Sequence, residues 1–172
     1  MTTRSICELA AGLAALLLTA PASAQEADHS GHQAHHAGHH APAGQEAVGP
    51  ESVLVAYRNA LEERDADAMA DLFAQSSMVF ENGKAEGSFS DYMEHHLGPE
   101  LDAIVSFSFT DPTVAVTRNG HLAYGYETYG YRIELEDGRI IERDGVATSV
   151  LIHDASGWQI VQYHSSSRAP RN

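Results

Sequence analysis

The chain has 172 residues, a formal net charge of -14 at pH 7, one lysine and one cysteine. That acidic balance argues against nucleic acid and anionic membrane surfaces as partners, since both select clustered cations. The length and an apolar fraction of 43% suffice for one ordinary domain with its own core.

The first segment reads MTTRSICELAAGLAALLLTAPASAQ. Arg4 precedes an apolar run from Leu9 to Ala20 that is too short to span a membrane, and Ala22 and Ala24 give the small-x-small pattern of a signal peptidase site. A signal peptide over residues 1–24 is expected, with Gln25 opening a periplasmic or secreted chain. No integral membrane protein is implied. Cys7 lies inside the removed segment, ahead of the apolar run, so it is not placed as a lipoprotein acceptor. The mature chain therefore has no disulfide, no thiolate ligand and no cysteine nucleophile.

Residues 25–49 are dominated by Ala, Gly, Gln, His and Pro without apolar periodicity, which predicts a disordered linker. Within it stand His29, His32, His35, His36, His39 and His40. A flexible run of imidazoles can wrap Cu(II), Ni(II) or Zn(II) weakly and with little selectivity. The same run also reads as a plain solvated tether. Its interruptions, and its position after a cleavage site, argue against a purification tag.

A regular pattern begins near Pro50 and is expected to form one domain over residues 50–168, with a tail at 169–172. Val53, Tyr57, Ala60 and Leu61 recur at helical spacing, and a break at ERDAD precedes a second short helix carrying Met69, Leu72 and Phe73. SMVFENG reads as a strand closed by an Asn-Gly turn. Ser90 offers an N-cap for a third helix, interrupted at Gly98-Pro99. Strand patterns follow at 104–109, 113–117, 121–133, 139–152 and 158–166, with turns at RNG, EDG and DASG. Three helices followed by a run of antiparallel strands define an α+β domain.

The opening helix pair, the Trp158-Gln159-Ile160 strand and its His164-Ser165-Ser166-Ser167 ending resemble the nuclear transport factor 2-like fold, shared with ketosteroid isomerases and SnoaL-like polyketide cyclases. The resemblance covers residues 51–167 and implies a cone-shaped α+β domain whose helices pack on a curved antiparallel sheet. That fold hosts enzymes, binding proteins and scaffolds, so it specifies no reaction. Phe80-Glu81-Asn82-Gly83, Tyr92-Met93-Glu94-His95-His96-Leu97 and His164 through Arg168 are similar to segments of exported bacterial members, some associated with copper handling. Similar proteins often carry His-x-His on the closing strand, where this chain has Gln162 at the first position, and Ser165 replaces an aromatic.

At helical period, His96 falls within the apolar arc of Tyr92, Met93, Leu97 and Leu101, whereas His95 faces away. Two-residue alternation places Trp158, Ile160, Gln162, His164 and Ser166 on one face of the closing strand, and Glu81 with Val79 on another inward face. Tyr124 and Tyr126 lie opposite Glu127, Tyr129 and Tyr131 on the long central strand. His96 and His164, with Glu81 and the neighbouring His95, supply an N/O donor set suited to Cu or Zn, and the expected function is binding of such a metal or of a small ligand. Tyr57, Glu81, Tyr92, Glu127 and Ser166 are the expected ligand contacts. The alternative is an isomerase, dehydratase or cyclase in which His96 or His164 moves the proton and Tyr92 steadies an oxyanion. A third reading is a homodimer through the sheet without a site. Bland roles stand beside these: a hydrogen-bonded core His96, Glu81 paired with Arg132 or Arg143, and Glu127 exposed on a cross-strand ladder.

Overall fold

The computed structural model describes residues 48–171, and its regular elements run from Pro50 to Arg168. The expected signal peptide, the six linker histidines and Asn172 lie outside the described residues. Helix α1 (Pro50–Glu63) starts with proline at its first position and ends at Arg64, whose φ of 58° is left-handed. It buries the predicted stripe of Val53, Tyr57, Ala60 and Leu61, and also Leu54 and Arg58. Helix α2 (Ala66–Asp71) is capped by the Asp65 carboxylate, which accepts from the Ala68 N–H at 2.9 Å. It stops before Phe73, contrary to the sequence expectation. The Leu72 carbonyl accepts from the Ile160 N–H at 2.9 Å, so pairing with a distant strand draws Phe73 into strand β1 (Phe73–Glu81).

Asn82 and Gly83, both with positive φ, turn the chain into β2 (Lys84–Gly87), a short strand the sequence pattern did not predict. The third helical run comprises α3 (Phe89–Tyr92), a π turn (Met93–Leu97) and α4 (Gly98–Leu101). Its cap is Ser88, not Ser90. The Ser88 hydroxyl accepts from the Asp91 N–H at 3.1 Å, and the Asp91 carboxylate accepts from the Ser88 N–H at 2.9 Å. Ser88→Ala should cost about 1 kcal/mol in urea unfolding. A cost indistinguishable from zero would show that the cap contributes nothing.

Gly98-Pro99 does not interrupt this run. Proline has no N–H to give and its ring crowds the carbonyl four residues earlier, and the widened turn ahead of it relieves both demands. Gly98 donates back to the Met93 carbonyl, and a Cβ at Gly98 would overlap that oxygen.

Four long strands complete the domain: β3 (Ile104–Asn119), β4 (Leu122–Leu135), β5 (Ile140–Asp154) and β6 (Gly157–Arg168). The predicted strands at 104–109 and 113–117 are one strand, bulged between Thr110 and Thr113 where Asp111 takes a φ of 47°. The six-stranded sheet has the order β2-β1-β6-β5-β4-β3. It is mixed rather than wholly antiparallel, because β1 pairs parallel with β6.

The core lies between α1 and the sheet's inner face. Phe73 and Phe89 stack at 4.0 Å, and Tyr57 meets Phe73 and Tyr163 edge-on, each at 5.1 Å. Helix α1 approaches β4 closely at Gly125, where an added Cβ would come within 2.9 Å of the Leu54 side chain. Among the described residues no helix is long and apolar enough to cross a membrane.

Candidate active site

A second irregularity decides which side chains reach the interior. Gln162 pairs with Val150 and Ile160 with the adjacent Leu151, so Val161 is an extra residue in β6. This β-bulge shifts the alternation by one. Trp158 and Ile160 face inward as expected, but beyond the bulge Tyr163, Ser165 and Ser167 point inward while His164 is exposed on the outer face beside Phe80. The inward placement expected of His164 and Gln162 is therefore corrected.

The cavity that results has a volume of about 120 Å³, room for about four water molecules. Tyr57, Tyr92, Tyr129, Tyr131 and Tyr163 contribute to its wall, Phe107 and Phe109 extend it, and Ser165, Ser166 and Ser167 close one end. Its two acidic groups are Glu81, at the end of β1, and Glu100, on α4. Tyr131 donates to the Ser167 hydroxyl at 3.0 Å, and Asn82 accepts from the Ser167 N–H at 3.1 Å, fixing the serine end against the β1–β2 turn.

Three carboxylates surround His96. Its Nδ1 lies 3.0 Å from Glu86 Oε1 and 3.9 Å from Glu81 Oε2, and its Nε2 lies 3.3 Å from Glu100 Oε1. Either ring nitrogen thus has an acceptor within reach. Tyr92 donates to Glu81 at 2.7 Å and its ring meets that of His96 edge-on at 5.3 Å. Burial holds the Tyr92 hydroxyl far above the usual phenol range, reinforced by Tyr57 and Glu81, so it stays a neutral donor. Burial pushes the Glu100 carboxyl up; His96 opposes this and Glu81 adds to it, with a net rise. Burial also acts to raise Glu86, but hydrogen bonds from Lys84, at 2.7 Å, and from His96 outweigh it and hold Glu86 below its ordinary range.

The helical arc placed His96 inward and His95 outward; their side chains are 28% and 66% exposed, but His96 is not among the residues that line the cavity. Tyr57, Glu81, Tyr92 and Ser166 line the cavity. Glu127 does not. It is 1% exposed and forms a buried ion pair with Arg58 of α1, which overturns both its place as a ligand contact and its reading as an exposed ladder residue. Glu81 pairs with neither Arg132 nor Arg143; Arg132 instead meets Glu134 and Glu142. The Cu or Zn set of His96, His164, Glu81 and His95 does not assemble, because the bulge turns His164 away and His95 faces solvent. Among the described residues no group of three or more His, Cys, Asp or Glu is placed to hold a metal ion.

Sequence reasoning missed Tyr163, Ser165, Ser167, Glu86 and Glu100 as site residues. The alternation Tyr163-x-Ser165-x-Ser167 is visible in the sequence once the bulge is known. Gly145 was also missed: a Cβ there would overlap the edge of the Tyr129 ring at Cε2. Gly145→Ala should displace that ring, cost about 1–3 kcal/mol and alter the near-ultraviolet aromatic signal. An unchanged spectrum and stability would contradict this packing.

The chain belongs to the SnoaL-like domain family, whose model matches residues 51–170. No curated protein matches it. Among solved structures it is similar to a nuclear transport factor 2-like superfamily protein from Salmonella enterica, at 17% identity and a TM-score of 0.61 over 71% of this chain and 89% of that one. A candidate ketosteroid isomerase from Shewanella frigidimarina is 25% identical, with a TM-score of 0.58 over 69% and 95% of the two chains. A hexachlorocyclohexane dehydrochlorinase of type 2 is 10% identical, with a TM-score of 0.58 over 67% and 80%. The six-stranded mixed sheet with its helices is thus the nuclear transport factor 2-like α+β fold.

Proposed function

We propose that the protein is a small-molecule acid/base enzyme of the isomerase or dehydratase type, with Glu81 as the group that moves the proton. The observation that carries this reading is the Glu81 carboxylate itself. It sits in the wall of an aromatic cavity, accepts from Tyr92 at 2.7 Å and lies 3.9 Å from His96. A carboxylate held by one hydrogen bond keeps lone pairs for a substrate proton.

The step that fits is removal of a proton from carbon beside a carbonyl. The C–H electrons form the enolate double bond, the proton passes to Glu81, and a cavity hydroxyl such as that of Ser167, which accepts from Tyr131 and keeps its own proton, donates a hydrogen bond to the oxygen. Return of the proton at a second carbon gives an isomer. Loss of a β-hydroxyl as water, with a proton supplied from the Glu81–His96 pair, gives an alkene. His96, between Glu81, Glu86 and Glu100, is the route by which protons exchange with solvent. Two similar structures carry the names of an isomerase and a dehydrochlorinase, which is in line with such chemistry. Solvent-deuterium uptake by a panel of small ketones and β-hydroxy ketones, followed by proton NMR, tests the reading. Exchange must be enzyme-dependent and must require Glu81; otherwise the reading fails.

A further inference from the structure

We infer that the cavity takes a small organic cation, a substrate bearing an ammonium group, because aromatic faces and two carboxylates line it and no lysine, arginine or histidine does. This rests on the acid/base reading for the reaction, but it concerns what is bound and is testable apart from it.

The aromatic wall is continuous. Phe107 stacks on Tyr131 at 5.6 Å and touches Phe109 at 5.0 Å, and Phe109 meets Tyr129 edge-on at 5.0 Å. Ring faces carry the negative lobe of their quadrupole, and a desolvated cation beside them gains more than a neutral group of equal shape. Glu81 and Glu100 add formal negative charge to the same space.

Two cations of the neighbourhood are already engaged. Arg58 is paired with Glu127, and Lys84 with Glu86. Arg143 is the cross-strand partner of Tyr131 and shares its face of the sheet, where its charge opposes the rise of the Tyr131 hydroxyl, but it is not among the lining residues. The field inside is therefore negative, and it registers on the lining groups: the charge of Glu81 contributes to the rise of Glu100, Tyr129 and Tyr131. An anionic substrate would meet two carboxylates whose close basic partner, His96, lies outside the lining at 3.9 Å from Glu81 and 3.3 Å from Glu100, so the cavity wall itself offers it no cation. A cavity of about 120 Å³ is also on the scale of a trimethylammonium group.

The test is isothermal titration of the full chain with choline, with its neutral isostere 3,3-dimethylbutan-1-ol, and with the anion 3,3-dimethylbutyrate. Choline should bind roughly tenfold more tightly than the neutral isostere, and the anion should not bind. Phe109→Leu and Glu100→Gln should each lower choline affinity several-fold while leaving the neutral isostere unaffected, which also shows that the variants are folded. Equal or tighter binding of the isostere, binding of the anion, or no binding of choline at millimolar concentration overturns the inference. Deuterium exchange into neutral ketones without cation preference would leave the proposed reaction standing and remove this inference. Cation preference without exchange on any substrate would do the reverse.

Discussion

Glu81→Gln should lower the rate of solvent-proton exchange by about 10²- to 10⁴-fold, the span associated with loss of a positioned general base. Glutamine matches glutamate in shape, and its amide oxygen can still accept from the Tyr92 hydroxyl that now lies 2.7 Å from Glu81. The cavity should keep its form, so the loss should fall on the chemical step and leave the unfolding midpoint nearly unchanged. Tyr92→Phe provides the contrast. It removes the donor but leaves the base, and it should cost less than Glu81→Gln. A Glu81→Gln protein that exchanges at close to the parental rate would remove Glu81 from the mechanism and leave the cavity a binding pocket.

Arg58→Met should be the most destabilising single change among those considered. Glu127 is 1% exposed, and its partner is the buried Arg58. Removing the guanidinium strands a carboxylate beneath α1, at a cost of about 3–5 kcal/mol. That is a large share of the roughly 5–15 kcal/mol that holds an ordinary domain folded. The double variant Arg58→Met with Glu127→Leu should recover most of the loss, because two apolar side chains can fill the space without a charge to solvate. Urea unfolding measures both. If the single variant lost no more than a typical surface substitution, about 0.5 kcal/mol, the pair would not be the buried anchor of α1.

The parts of this fold legible in the sequence are those set by local periodicity. Val53, Tyr57, Ala60 and Leu61 announced α1, and the inward His96 and outward His95 followed from one helical arc. The arc survived the π turn because only four residues separate Tyr92 from His96, too few for the changed pitch to accumulate. The family resemblance and the α+β class likewise rested on segments that form the helices and strands expected, although α2 stops short of Phe73 and β6 changes face at its bulge.

What was not legible depends on partners distant in the chain. Strand β2 has no apolar pattern of its own and forms by pairing with β1. The parallel pairing of β1 with β6 joins residues more than eighty positions apart. Arg58 lies between the apolar positions Tyr57 and Leu61, and a cation there calls for a buried carboxylate without saying which one. Glu127, among tyrosines on β4, looked equally like a surface residue. Glu100 depended on the register past Pro99, which the π turn settles. The expected pairing of His164 with His96 in the cavity fails to assemble because of one residue, Val161.

That extra residue has a consequence for comparing this chain with others. Roles are ordinarily transferred between relatives by matching positions, and at identities of 10–25% the strand ends must be matched with few anchors. A gapless correspondence along β6 with a chain that lacks the bulge would equate this chain's surface imidazole with the other's interior side chain, and its interior serines with exterior ones. Against such a chain, residues past Val161 would correspond in order but not in orientation. Transfer of function across this strand therefore has to follow hydrogen-bond register rather than residue count.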